Sequence, residues 1–181
     1  MATIDILCVI DTNYLMSNVK GGKLKAGTLQ SPTNLGAWGS SDTYIFMICD
    51  GQYANNNQGK SELTINANVK DIIRWTITDP STGLVTNQTA HSYSCILYNF
   101  SSQSASGIIT PPAVNSAPAV MYYNSLDNKD IPVAGTYMCS NWTSSVLKTG
   151  TVQYSWSFQV VDCNTNKVVG YFTWDPFIII S

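Results

Sequence analysis

Apolar and polar residues alternate with a period of two through much of the chain, and the 3.6-residue period of an amphipathic helix is nearly absent. Residues 3–11 form a strongly apolar opening run and predict a central strand. Residues 43–50 predict a second strand, ended by Asp50-Gly51. Over residues 61–67, Leu63, Ile65 and Ala67 face one way and Thr64 and Asn66 the other. Residues 71–78 place Ile73, Trp75 and Ile77 on one face. Further strands are predicted over 92–100, 120–123, 136–142, 149–162 and 168–174. The 149–162 stretch is long enough to require a bend or bulge. Residues 12–19 are ambiguous: Tyr14, Leu15 and Met16 could start a helical turn capped by Asp11 or Thr12.

Turn chemistry separates these runs. Asp79-Pro80-Ser81-Thr82-Gly83 has aspartate before proline and then glycine, and Asp127-Asn128-Lys129-Asp130 makes a second turn. Asn164-Thr165-Asn166 predicts a tight hairpin. Residues 20–41, 52–60 and 101–118 read as loops. Many short strands with regular turn signals predict an all-β fold. The expected form is a two-sheet antiparallel β-sandwich with long polar loops and little helix, filling residues 1–181 as a single domain.

The run Gly170-Tyr171-Phe172-Thr173-Trp174-Asp175-Pro176-Phe177-Ile178-Ile179-Ile180 adds detail. Phe172 and Trp174 share one side of an extended chain. Proline at 176 has no N–H for a ladder, so Asp175-Pro176 should end or bend the strand. The apolar run after it belongs in a sheet, because a loose apolar strand invites aggregation.

Gly-Tyr-Phe-x-Trp-Asp-Pro resembles the closing motif of the PixA/AidA family of bacterial inclusion-body proteins. Ile4-Asp5-Ile6-Leu7-Cys8-Val9-Ile10-Asp11-Thr12 resembles that family's first strand. Tyr44-Ile45-Phe46-Met47-Ile48 and Asp71-Ile72-Ile73-Arg74-Trp75 resemble two further blocks, in the family's order. The resemblance implies a small non-enzymatic protein of Gram-negative bacteria, often abundant in stationary phase or under quorum control and sometimes found in cytoplasmic inclusions. It supplies no accepted active site.

Composition narrows the functions available. Charged residues are 11% of the chain, net charge is −2, and Arg74 is the only arginine among nine basic residues. No basic patch can form to neutralise phosphates, so nucleic-acid binding is not expected. Weak mutual repulsion favours association between copies, and a homo-oligomer is expected. No apolar run reaches transmembrane length, and Asp5 and Asp11 interrupt the opening run, so neither membrane insertion nor a classical secretion signal is expected. The expected location is cytoplasmic, in inclusions if the resemblance holds. Cys8, Cys49, Cys95, Cys139 and Cys163 are odd in number and lack metal-site spacing. Free thiols are expected, with the first three buried in strands.

Candidate chemistry is sparse. His91 is the only histidine, which excludes a blue-copper site and leaves no Ser-His-Asp or Cys-His machinery in one chain beyond that residue. Glu62 is the only glutamate, and the aspartates mostly flank strands or turns, which disfavours a glycosidase pair. The 127–130 turn concentrates oxygen ligands, yet Lys129 intrudes and EF-hand spacing is absent. No metal and no cofactor are expected. The alternative function is a lectin-like glycan-binding module. Its candidate residues are Asn141 and Trp142, with Asp127, Asn128 and Asp130 as neighbours; Trp38 and Tyr53 offer similar loop aromatics. Asp11, Thr12, Arg74, Trp174 and Asp175 are read as structural, with Arg74 pairing one of the motif aspartates. On the same reading, replacing Trp142 should leave the fold intact.

Overall fold

The computed structural model describes residues 1–36, 39–81, 92–125, 127 and 129–180. Among the described residues, thirteen strands and one α-helix run in the order β1 Thr3–Ile10, α1 Thr12–Lys20, β2 Thr33–Asn34, β3 Ile45–Cys49, β4 Ala54–Asn56, β5 Thr64–Ala67, β6 Ile72–Thr78, β7 Tyr93–Ser101, β8 Ala113–Asn124, β9 Pro132–Ser145, β10 Gly150–Gln153, β11 Ser155–Asp162, β12 Lys167–Trp174 and β13 Phe177–Ile180. The protein is 54% strand and 7% helix, as the missing helical period predicts.

The sheets depart from the sequence expectation. Among the described residues there are three, with strand orders β3-β1-β6-β9-β8, β10-β13-β5-β4 and β2-β12-β11-β7. Each contains one parallel pair: β1 with β6, β13 with β5, and β12 with β2. Purely antiparallel pairing in two sheets is therefore replaced by three mixed sheets. Period-two alternation fixes which face is buried, but it is the same for parallel and antiparallel neighbours.

One apolar cluster joins the inner faces of all three sheets. Ile4, Ile6, Cys8 and Ile10 from β1, Trp75 from β6, and Trp156 and Phe158 from β11 belong to it. Trp75 donates from Nε1 to the Tyr154 hydroxyl at 3.1 Å, and Trp156 meets Trp75 edge-on with centroids 5.5 Å apart. Burial pushes the Cys8 and Cys95 thiols up, so both stay protonated. All five cysteines are free thiols, and Cys8, Cys49 and Cys95 are buried.

The 149–162 stretch is two strands rather than one bent strand. β10 pairs with β13 while β11 pairs with β12, so both chain segments pass from one sheet to another at the same corner. Tyr154 donates its N–H to the Pro176 carbonyl at 3.1 Å, and Ser155 donates its hydroxyl to Asp175. Proline here gives up no ladder bond, because the ladder is already changing partners. β13 lies between β10 and β5.

The ambiguous 12–19 segment is α1. Asp11 is its cap, accepting the Tyr14 N–H at 2.9 Å, while Thr12 is buried in the first turn and donates to the Tyr93 carbonyl.

Candidate functional site

β8 and β9 form a hairpin far longer than the two short strands expected at 120–123 and 136–142. All twelve residues of β8 pair with twelve of the fourteen in β9, in an unbroken register from Ala113↔Thr143 to Asn124↔Pro132. The sequence hid this ribbon for two reasons. Pro118 sits in β8, and proline argues against a central strand. Much of the hairpin is also exposed on both faces, so burial imposes little alternation of polarity.

Only the base of the hairpin belongs to the body. β9 pairs with β6 from Ser145↔Ile72 to Trp142↔Trp75. Beyond that pair the strands part, and Thr76 Oγ1 donates to the Ser140 carbonyl at 2.9 Å in place of a ladder bond. The rest of the hairpin is an arm. From Trp142 to Pro132 it runs roughly 30 Å at the rise of an extended strand.

The strands of the arm are uncharged, and Asp127, Lys129 and Asp130 lie in the connection at its end. No Asp, Glu, Lys or Arg occurs in 113–124 or 132–145. Its exposed side chains include Val120, Tyr122, Tyr123, Tyr137 and Met138; Tyr122 is 72% exposed and Met138 67%. The register divides them between two faces. Val120, Tyr122 and Met138 share one, and Met121, Tyr123 and Tyr137 the other. The Tyr123 ring lies against Gly135, where a Cβ would sit 3.1 Å from the ring.

β8 is an edge strand, and Pro118 blunts that edge. The ladder continues unbroken through Pro118↔Met138, so the proline nitrogen must point away from β9, toward the open side. There it withholds a donor from any strand that would add to the edge.

Where β9 leaves β6, a cleft of about 540 Å³ opens between arm and body. Leu7, Ile77 and Leu97 line it from the body, and Tyr137, Met138 and Trp142 from the arm. Among the described residues, no strand pairs with Thr76–Thr78 on the cleft side. The half-exposed Phe46, Ile48 and Leu7 continue the apolar surface over the outer face of β3 and β1; Leu7↔Ile48 and Val9↔Phe46 are register neighbours.

The residues expected to form a glycan site are not brought together. Asn141 and Trp142 stand at the base of the arm, while Asp127 and Asp130 belong to the connection at its far end; Asn128 lies outside the described residues. Trp142 is half-buried and meets Trp156 edge-on at 5.3 Å, so it is part of the core wall rather than an open stacking platform. Its replacement therefore removes core packing, contrary to the fold-neutral outcome read from sequence. Asn141 accepts from Thr143 Oγ1 at 3.0 Å. Trp38 and His91 also lie outside the described residues, and Tyr53 packs against the core.

The motif residues have structural partners. Arg74 forms a two-pronged pair with Asp5, at 2.6 and 2.8 Å, and not with Asp11 or Asp175. The two are register neighbours on parallel strands and both point outward. The hydrogen bond to Asp5 raises the guanidinium pKa further. Trp174 is buried and donates from Nε1 to Met47 Sδ at 3.4 Å. Among the described residues, no group of three or more His, Cys, Asp or Glu side chains could hold a metal ion, and no helix is long and apolar enough to cross a membrane.

Over residues 2–180 the chain matches PixA, described as inclusion body protein. Its fold is similar to that of an inclusion body protein (PixA) from Burkholderia cenocepacia J2315. The TM-score is 0.74 at 19% identity, covering 99% of this chain and 96% of that one. The cysteine protease inhibitor EhICP2 from Entamoeba histolytica aligns with TM-score 0.28 at 13% identity, over 65% of this chain and 86% of its own. Amebosin aligns with TM-score 0.28 at 9% identity, over 72% and 93%. Neither of these two is near enough to carry an argument. No curated protein matches the chain.

Proposed function

The chain belongs to the PixA family of inclusion body proteins, and from that premise we propose that it is a non-enzymatic protein whose copies associate with one another through the β8–β9 arm, in the cytoplasm. One observation carries the reading: a ribbon of two uncharged strands, roughly 30 Å long, leaves the body with apolar side chains exposed on both faces. Patches above a few hundred Å² mark contact sites on soluble proteins. A two-stranded ribbon is also marginal in water unless something packs on it. The sparse charge of the whole chain lowers the repulsion that keeps copies apart.

The glycan-binding alternative has weaker support. Its candidate residues occupy opposite ends of the arm, and its aromatic anchor is packed into the core wall.

Expression of a fluorescently tagged chain in a bacterial cell tests the reading. The parent should gather into dense bodies that dissolve without denaturant as folded β-rich protein. A variant with Val120→Lys and Tyr123→Lys should fold and stay dispersed. Dispersed parent protein at high expression would contradict the proposal.

A further inference from the structure

The geometry points to a reciprocal dimer in which the tyrosine-bearing outer end of each copy's arm strands seats side chains in the cleft of the other, with the charged connection beyond it left in solvent. This inference rests on the self-association reading and names the contact. Three features of the arm narrow the occupant to a second copy of this chain. First, the strands of the arm carry no charge; Asp127, Lys129 and Asp130 lie only in the connection beyond them. Against these strands a charged partner would lose hydration and gain no counter-charge, whereas another copy presents equally neutral strands. Second, the open edge of β8 is interrupted by Pro118. Two copies therefore do not join edge to edge into one continuous sheet, and the contact must use side-chain faces. Third, the arm and its receptor surface belong to the same molecule. The tip offers Tyr122 and Tyr123, both more than half exposed. The cleft at the arm's base offers apolar walls from Leu7, Ile77 and Leu97.

Size agrees with this arrangement. A cleft of about 540 Å³ takes a few large side chains and not a whole ribbon. Aromatic anchors seated in such pockets are the side chains that dominate interface energetics. The exposed apolar side chains of the arm together present on the order of 700 Å², near the ~800 Å² that each partner contributes to a standard interface. A two-fold axis fills both clefts and covers both arms at once, because an isologous contact places tip on cleft and cleft on tip. A head-to-tail contact would leave one arm uncovered at every chain end.

A charge exchange between two exposed positions tests the pairing. Tyr122→Lys alters the tip and Met138→Glu alters the cleft wall; neither side chain is buried, and circular dichroism would verify that each variant keeps the parent fold. In the reciprocal dimer, each variant alone places its charge twice against an apolar partner, and dimerisation should weaken at least tenfold. An equimolar mixture can form a heterodimer in which the introduced lysine of one copy meets the introduced glutamate of the other, while the second tip-to-cleft contact stays parental. The dimer mass should therefore return. Dimers that persist in both separate variants, or a mixture that stays monomeric, would overturn the tip-to-cleft pairing while leaving self-association by another surface standing. A parent chain that is itself monomeric would instead remove the self-association reading.

Discussion

Trp75 and Trp142 face each other across the β6–β9 ladder, and they are the last pair before the two strands separate. On one side of that pair the hairpin is part of a five-stranded sheet. On the other it is an arm with water on both faces. Each indole is tied to the core by the same partner, since both meet Trp156 edge-on. The aromatic cluster therefore fixes where the body ends and the arm begins.

Trp142→Ala should lower stability by about 2 kcal/mol or more, because it opens the wall against Trp156; full Trp-to-Ala truncations in cores cost about 3–5 kcal/mol. Denaturant unfolding of parent and variant reads the difference. An unchanged midpoint would mean that Trp142 packs on nothing that matters to the fold.

Pro118→Thr should restore a backbone donor to the open edge of β8 at a position where threonine suits a strand. Edge pairing would then add to the face contacts. The expected result is larger assemblies at a given concentration, seen by light scattering, with unchanged secondary structure. Identical assembly of parent and variant would mean that the proline does not guard the edge.

Asp71 links the start of β1 to the turn before β6. Its carboxylate accepts the Ala2 N–H at 2.6 Å and the Asn68 N–H at 2.9 Å and is 2% exposed. Burial pushes its pKa up, but these hydrogen bonds outweigh burial and hold it below the usual value. A depressed carboxylate contributes stability that is present above its unfolded pKa of about 3.9 and is lost as pH falls through the lower folded pKa. Asp71→Asn should cost about 1–3 kcal/mol at neutral pH, the range for leaving buried donors poorly satisfied. Its stability should then fall less steeply than the parent's below pH ~4. Parallel acid profiles would exclude Asp71 as a contributor.

The all-β class was legible in the sequence because burial writes a period of two wherever one face of a strand is covered. β1, β5, β6 and β12 carry that pattern, as does the Asp175-Pro176 corner. Pairing direction was not legible: Ile4 is buried equally well beside a parallel β6 or an antiparallel neighbour. The break at Tyr154 stayed hidden because the chain remains extended through the change of sheet. The candidate site was the least legible part. Residues 113–118 mix Ala, Asn, Ser and Pro118 with a single Val, which reads as a loop leading into the short strand expected at 120–123 until β9 is laid beside it. The signal present but unread was the absence of charge over both segments, which is unusual for a surface loop. Residue type demands a carboxylate for Arg74 only if the side chain points inward; it points outward, and its partner Asp5 depends on the β1–β6 register, which no local pattern reports.

Sedimentation equilibrium of the purified parent protein at micromolar concentration and low salt tests the central claim most directly, that copies of this chain associate through the arm. The monomer is 19.7 kDa. The account predicts a mass of at least twice that value for the parent, returning to the monomer value in Tyr122→Lys. A parent mass of 19.7 kDa across the concentration range would contradict it.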